Sequence, residues 1–267
     1  SGNCNFLANE SSGTYIKFLF QDHLLEPSCI ELLLKEARVS GSPSLIFSNR
    51  RIVFESLDSA YCQDIFNGCQ NLSEHWSQLD SVQDGRFLLE DPRLLDSPIN
   101  KIGEPSNTLI SKSAFQEVGG FDPNLSQLLD LDLWYRLMSV GKVSYVNQTL
   151  SSFRIHDSQQ SVSNLTRGNI PNDFELLFKK LLSSKFFADL SDGFKSRALE
   201  KLLASSKFFA GLSDGFKSRT LEKLLASADT SALPDRDKIE LMHKIDTFSQ
   251  RMKFMESTFA WRARKFF

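Results

Sequence analysis

The sequence has few cysteines, no long apolar run and no marked excess of either charge. The four cysteines, Cys4, Cys29, Cys62 and Cys69, match neither the paired spacing of a zinc site nor the density of a disulfide framework. We expect them to be buried free thiols, which favours a reducing compartment. No signal peptide or membrane-spanning segment is recognisable, so a cytoplasmic protein is predicted.

The charge balance excludes a broad electrostatic attraction to nucleic acid. Lysine and arginine number 31 and aspartate and glutamate number 33, which gives a formal net charge of -2. No nucleic-acid partner is therefore predicted. With 267 residues and 41% hydrophobic positions, the chain is long enough to bury a substantial core. Because it opens at Ser1 without an initiator methionine, we expect a fragment of a longer protein.

Short apolar runs alternate with amphipathic segments, which predicts an α/β fold. A predicted strand over 16–20 runs into the polar Gln21-Asp22-His23, and a helix follows from about Pro27 to Arg38. Asp130 is predicted to cap a helix that ends near Val140. The other predicted elements are strands over 44–47, 51–54, 108–111, 142–146 and 150–154, a turn at Asn49-Arg50, a helix over 113–118 and a turn at Gly119-Gly120.

The sequence changes character near residue 168, and we predict one domain over 1–168 and an all-helical region over 169–267. That region contains a tandem repeat: residues 183–204 recur as 205–226, with differences at Asp189/Gly211 and Ala198/Thr220. Two copies are too few for a solenoid. A final predicted helix carries an apolar stripe over 239–259 and a basic, aromatic tail. It favours docking or homo-oligomer formation, with peripheral contact at the inner membrane face as an alternative.

Four polar clusters follow one another along the first domain. They are Gln21-Asp22-His23, Gly119-Gly120-Phe121-Asp122, the run from Asp130 to Arg136, and Arg154-Ile155-His156. Each has an ordinary structural explanation, such as helix capping for Asp130 and Asp132. Taken together over residues 1–165, they resemble the motifs of family 2 glycosyltransferases. Residues 12–23 resemble A-x-G-x-Y-I-x-F-L-x-x-D-D, and the later clusters resemble G-G-F-D, D-x-D-L-W-x-R-L and R-x-H in the family's order.

The resemblance implies a Rossmann-like sheet of the GT-A fold and an inverting transfer reaction. A sugar would pass from a nucleoside-diphosphate donor to the hydroxyl of a glycan or other acceptor, in the assembly of a surface polysaccharide or similar product. It implies that Asp130 is the general base that takes the acceptor proton. It further implies donor or diphosphate contacts by Gly119, Gly120, Arg154 and Asp132, and a divalent cation, Mn or Mg, held by Asp22, His23 and His156.

Two departures from the family motifs bear on activity. Phe20 and His23 stand where the family usually has acidic residues, which predicts weaker cation binding. The family's N-terminal strands, which hold the nucleotide, have no match ahead of Ser1, so we expect a truncated sheet.

The alternative is a catalytically inactive remnant, or an interaction module that binds a partner through the helical region. An α/β enzyme of another family that uses Asp22 and His23 would leave the later clusters unexplained. Acceptor selection is expected to reside in residues 56–100.

Overall fold

The computed structural model describes residues 2–56, 58, 60–159, 162–163 and 170–205. They all belong to one compact unit, Ser1–Gly211. The helices are α1 (Gly2–Glu10), α2 (Cys29–Val39), α3 (Ala60–Asn67), α4 (Gly85–Leu89), α5 (Lys112–Glu117), α6 (Leu129–Val140), α7 (Ile170–Ser183) and α8 (Asp192–Ser205), with 3-10 turns at Leu72–His75, Pro105–Asn107 and Lys185–Phe187. The strands are β1 (Tyr15–Ile16), β2 (His23–Leu25), β3 (Leu45–Ser56), β4 (Val82–Asp84), β5 (Thr108–Ser111) and β6 (Lys142–His156).

The strands form a mixed sheet in the order β1-β5-β3-β6-β2, and β4 pairs with β6 beside this path. The two long strands, β3 and β6, run parallel, and the other pairs are antiparallel. Their pairing begins at Leu45 opposite Val143 and ends at Ser56 opposite His156. Residues far apart in sequence therefore meet where the two strands end.

Helices pack against the sheet in two separate cores, which confirms the predicted α/β class. In one core, α2 places Cys29, Leu33 and Ala37 against Ile46 and Leu150. The other core is formed by residues of β3, β6 and α3 that are buried together: Ile52, Cys62, Phe66, Phe153 and Ile155. Both long strands thus contribute apolar residues to each core.

Both long strands are continuous, so the predicted turn at Asn49-Arg50 is wrong. Asn49 stays in the strand because its amide donates to Asn147 Oδ1 at 3.0 Å and its Oδ1 accepts the Tyr145 hydroxyl at 2.9 Å. The Arg50 guanidinium is paired with Glu104. Polar residues that would favour a turn are thus satisfied by partners from distant parts of the chain.

Strand β1 is shorter than predicted and ends at Ile16. Beyond it, side chains take the place of ladder hydrogen bonds. Lys17 Nζ donates to the carbonyl of Thr108 at 3.0 Å, and the Phe20 N–H donates to Ser106 Oγ at 3.2 Å. Burial lowers the pKa of Lys17 to about 8. The segment is held against the 3-10 turn Pro105–Asn107 by these contacts.

The described part of the C-terminal region, 170–205, contains α7, the 3-10 turn Lys185–Phe187 and α8. Asp189 pairs with Arg86 of α4 at 3.3 Å, and the Ser191 hydroxyl donates to Glu90 at 2.6 Å. The second repeat copy and the predicted C-terminal stripe lie outside the described residues, and the boundary after residue 168 stays a prediction. Among the helices that are described, none combines the length and apolar character needed to cross a bilayer.

Gly120 and Gly119 form a matched pair for testing the turn before α6. Both have positive φ, +69° and +82°, a backbone conformation that costs other residues about 1–2 kcal/mol. A Cβ on Gly120 would also lie 2.6 Å from Asn5 Oδ1, whereas one on Gly119 meets nothing within 4 Å. Gly120→Ala should therefore lower the free energy of unfolding by about 2–4 kcal/mol, and Gly119→Ala by about 1 kcal/mol, in urea titrations. Equal losses would contradict the close approach of Asn5.

Candidate functional site

The predicted ligands Asp22, Arg154 and His156 lie together at the end of the sheet. Strand β2 pairs antiparallel with β6 so that His23 is opposite Phe153, which places Asp22 beside the end of β6. Asp22 Oδ1 lies 3.4 Å from His156 Nε2, and Arg154 Nε donates to the Asp22 carbonyl at 3.2 Å. The turn before β2 and the end of β6 thus present a carboxylate and an imidazole side by side.

Both basic groups of this cluster have further partners. Arg154 Nη1 pairs with Glu55 Oε1 at 2.7 Å, and His156 Nδ1 lies 2.8 Å from the Ser158 hydroxyl. The cluster remains partly open to solvent at each of these side chains. An incoming anion could therefore compete with Glu55 for the guanidinium.

His23 is buried and does not join the polar cluster. Its ring packs against Phe153, with ring centroids 4.8 Å apart, and contacts Phe20 edge-on at 5.7 Å. Burial lowers the pKa of His23, although Glu104 and Asp22 act in the opposite direction. Within the described part of the chain, no group of three His, Cys, Asp or Glu side chains is placed to hold a metal ion. The cation assignment stays a prediction.

Asp130 lies in the first turn of α6 but does not cap the helix, so the predicted capping role is wrong. The helix begins after Leu128, and the Asp173 carboxylate of α7 accepts the N–H groups of Ser126 and Leu128 at 2.9 and 3.0 Å. Asp130 Oδ1 accepts the Leu131 N–H at 2.8 Å. Asp173 thus satisfies N–H groups just ahead of the helix, and the Asp130 carboxylate bonds an N–H group within the first turn.

The environment of Asp130 disfavours its charged form. Burial raises the pKa of this carboxyl to about 7; the Leu131 N–H opposes the rise, and the negative charge of Glu104 adds to it. A carboxyl with such a pKa can accept and release a proton near neutral pH. The role of general base that the sequence resemblance implies for Asp130 stays a prediction.

Glu104 and Arg50 were missed by the sequence analysis. Glu104 Oε2 lies 3.0 Å from Arg50 Nε, and the buried guanidinium also donates to the carbonyls of Cys69 and Gln70 at 2.7 and 2.9 Å. Glu104 bears electrostatically on both Asp130 and His23. Arg50 is a charged residue between two apolar runs, a pattern that predicts a turn instead of a buried ion pair. Glu104 lies in no recognisable motif.

Trp134 and Tyr135 hold the segment that carries Glu104 against α6. Both side chains are buried; the indole N–H donates to the Gly103 carbonyl at 3.0 Å and the phenol to the Ile99 carbonyl at 3.3 Å. Glu104 is therefore positioned by the same helix whose first turn bears Asp130.

Asp132, a predicted donor ligand, is placed in a buried ion-pair network. Its side chain is 1% exposed, and its Oδ2 accepts Arg136 Nε at 2.9 Å, while Oδ1 pairs with Lys180 of α7. Arg136 donates in turn to the Gly120 carbonyl at 2.8 Å. These contacts tie the Gly119-Gly120 turn to α6 and α7, because Arg136 binds both Asp132 and Gly120 in the interior.

The comparisons with known proteins give distant relatives. No family model matches the chain. An uncharacterized protein of Mycobacterium tuberculosis (strain CDC 1551 / Oshkosh) is 28% identical over 149 residues, which is 56% of this chain and 44% of that protein.

Among solved structures, S. aureus TarS is similar at 11% identity. The TM-score is 0.48 for its residues 1-349, with 79% of this chain and 52% of that one covered. For a longer TarS structure the TM-score is 0.49, with 88% and 37% covered. The chain thus spans about half or less of each protein it matches, and its function has to be inferred from its own residues.

Replacing Asp132 should destabilise the fold through the loss of a buried partner. Asp132→Asn leaves Arg136 without a carboxylate and Lys180 with Asp122 alone, and removing one member of a buried pair costs about 3–5 kcal/mol. Glu175→Gln is the matched control, because Glu175 and Lys179 form an exposed pair with the same i,i+4 spacing. It should cost less than about 0.5 kcal/mol in the same urea titration. A small loss for Asp132→Asn would contradict the structural role.

Asp130→Asn should stabilise the protein at high pH and not at low pH. The folded pKa of about 7 lies above the ordinary value of 3.8, so wild-type stability is lost as pH rises from about 4 to 7. An asparagine does not titrate. The free energy of unfolding of the variant, measured relative to wild type, should therefore rise by about 2–4 kcal/mol from pH 4 to pH 8. Asp64→Asn, at an exposed position, is the control for denaturation at both pH values. The same difference from wild type at pH 4 and pH 8 would refute the raised pKa.

Proposed function

We propose that this chain forms part of an inverting glycosyltransferase that moves a sugar from a nucleoside-diphosphate donor to an acceptor hydroxyl, in the assembly of a surface polysaccharide or related glycan. The observation that carries the proposal is Asp130, a carboxyl with a pKa of about 7 in the first turn of α6. Its position in the D-x-D-L-W motif and its titration both suit a general base.

The proposed reaction is a single displacement. Asp130 takes the proton of the acceptor hydroxyl as that oxygen attacks the anomeric carbon. The bond to the nucleoside diphosphate breaks on the opposite face of the sugar, and its electron pair leaves with the diphosphate. Because attack and departure occur on opposite faces, the configuration inverts. A carboxyl that titrates near neutral pH is matched to this proton transfer, since a much stronger acid would hold the proton poorly.

The diphosphate would lie at the end of the sheet, beside Asp22, Arg154 and His156. Arg154 is suited to a diphosphate because guanidinium groups bind phosphate oxygens bidentately. Asp22 Oδ1 and His156 Nε2, 3.4 Å apart, would supply two protein ligands to a divalent cation. Such a cation would neutralise the charge of the leaving diphosphate. His23, packed against Phe153, is not needed for this arrangement.

One observation favours the alternative of an inactive remnant. The charged groups of the donor cluster are paired with one another, Asp22 with His156 and Arg154 with Glu55. A site that neutralises itself has less residual charge for a ligand. Measuring whether the chain binds a nucleoside diphosphate distinguishes a transferase from an inactive remnant.

Calorimetric titration with uridine and guanosine diphosphates, with and without Mn, tests the proposal. We expect cation-dependent binding of at least one nucleotide, weakened at least tenfold in Asp22→Ala because a ligand is lost. Asp130→Asn should bind as wild type does, since the base is not needed for donor binding, and Asp64→Ala is the surface control. Binding that is absent under every condition, or unaffected by Asp22→Ala, would overturn the proposal and support the remnant.

A further inference from the structure

A cavity of about 370 Å³ lies between the long strands and the segment after α3, and it has no assigned role. This volume is within the range of small-molecule sites. Its walls consist mainly of amide, hydroxyl and aromatic side chains from β3, β6 and the segments near residues 71 and 102. The lining residues that carry the argument are Asn49, Asn71, Asn107, Tyr145, Asn147 and Thr149.

An irregularity in the parallel pairing builds the cavity wall. Ser48 pairs with Val146, but the next residue, Asn49, pairs with Thr149, so Asn147 and Gln148 are both displaced from the ladder. Tyr145 donates its hydroxyl to Asn49 Oδ1 at 2.9 Å, and Asn49 donates to Asn147 Oδ1 at 3.0 Å. Bulges of this kind redirect side chains and are frequent beside functional sites. The amide groups are held in fixed positions by one another.

Three charged residues line the cavity: Arg50 and Lys101, whose cations are engaged by other groups, and the exposed Glu74. Arg50 is paired with Glu104, and Lys101 Nζ donates to the carbonyls of Leu94, Asp96 and Pro98 at 3.2, 2.7 and 2.8 Å. A phosphate would find no cation free of a partner among these two. Fixed amides and hydroxyls lie beside the partly exposed ring of Tyr145, which packs on the buried ring of Phe47 at 5.1 Å. Such a wall suits a ligand with many hydroxyls and apolar C–H faces.

We propose that this cavity binds a neutral saccharide, a sugar unit of the acceptor glycan that lies outside the reacting position. The identity of this sugar as part of an acceptor rests on the proposed function. The segment from Lys101 to Asn107 connects the two places, because it lines the cavity and also carries Glu104 beside Asp130.

Saturation-transfer NMR on the whole chain, without nucleotide, tests the cavity directly. The probes are glucose, galactose, N-acetylglucosamine, maltose and lactose at millimolar concentrations. We expect saturation transfer from the wild-type chain to at least one of these saccharides. The transfer should be at least tenfold weaker in Asn71→Trp, because the indole would fill the cavity from an exposed rim position. Asn49→Ala should act likewise by removing an amide, and thermal melting shows whether either variant is folded. Asn9→Ala, on the exposed part of α1, is the matched control and should bind normally.

Three results would overturn the saccharide site: no transfer to any probe, transfer that persists in the folded Asn71→Trp variant, or displacement of the sugar by uridine or guanosine diphosphate. Failure of the transferase proposal gives a different result: the chain would bind no nucleoside diphosphate and would still bind the saccharide. Saccharide binding lost in Asp130→Asn and retained in Asn71→Trp would place the sugar at the base instead, and would also refute the cavity site.

Discussion

The first turn of α6 depends on the buried carboxylate of Asp132. A buried charge costs several kcal/mol unless its partners are well placed, and here Arg136 and Lys180 supply them from two helices. Arg136 also binds the carbonyls of Val118 and Gly120. The glycine turn, α6 and α7 must therefore assemble together, because each supplies a group that the buried charges need.

This network gives different environments to Asp130 and Asp132, which are two residues apart in the sequence. Asp132 has two cations against it, whereas Asp130 receives a backbone N–H and faces the negative charge of Glu104. Environments that differ in this way assign different roles to chemically identical groups. The Asp173 carboxylate of α7 also contributes, because it accepts the N–H groups of Ser126 and Leu128 just ahead of α6. Asp130 does not bond these groups.

Periodicity in the sequence predicted α2, β5 and α6 to within about two residues, because each has a clear apolar pattern and recognisable ends. It failed at Asn49-Arg50, where polar residues indicated a turn and the partners that keep the strand extended lie far along the chain. The motifs indicated that Asp22, Arg154 and His156 belong together, and the structure places them in contact. The sequence alone does not indicate Glu104. Its position near Asp130 arises from the packing of its segment on Trp134 and Tyr135, which are distant in sequence.

The segment from Ile99 to Asn107 connects the features that the motifs do not cover. One side is fixed to α6 by Trp134 and Tyr135, and the other supplies Lys101 and Asn107 to the cavity wall. The Asn107 amide also donates to the Ser48 carbonyl at 2.6 Å, beside the strand irregularity. A displacement of this segment would alter the cavity and the field at Asp130 together. The cavity and Asp130 therefore depend on the position of the same stretch of backbone.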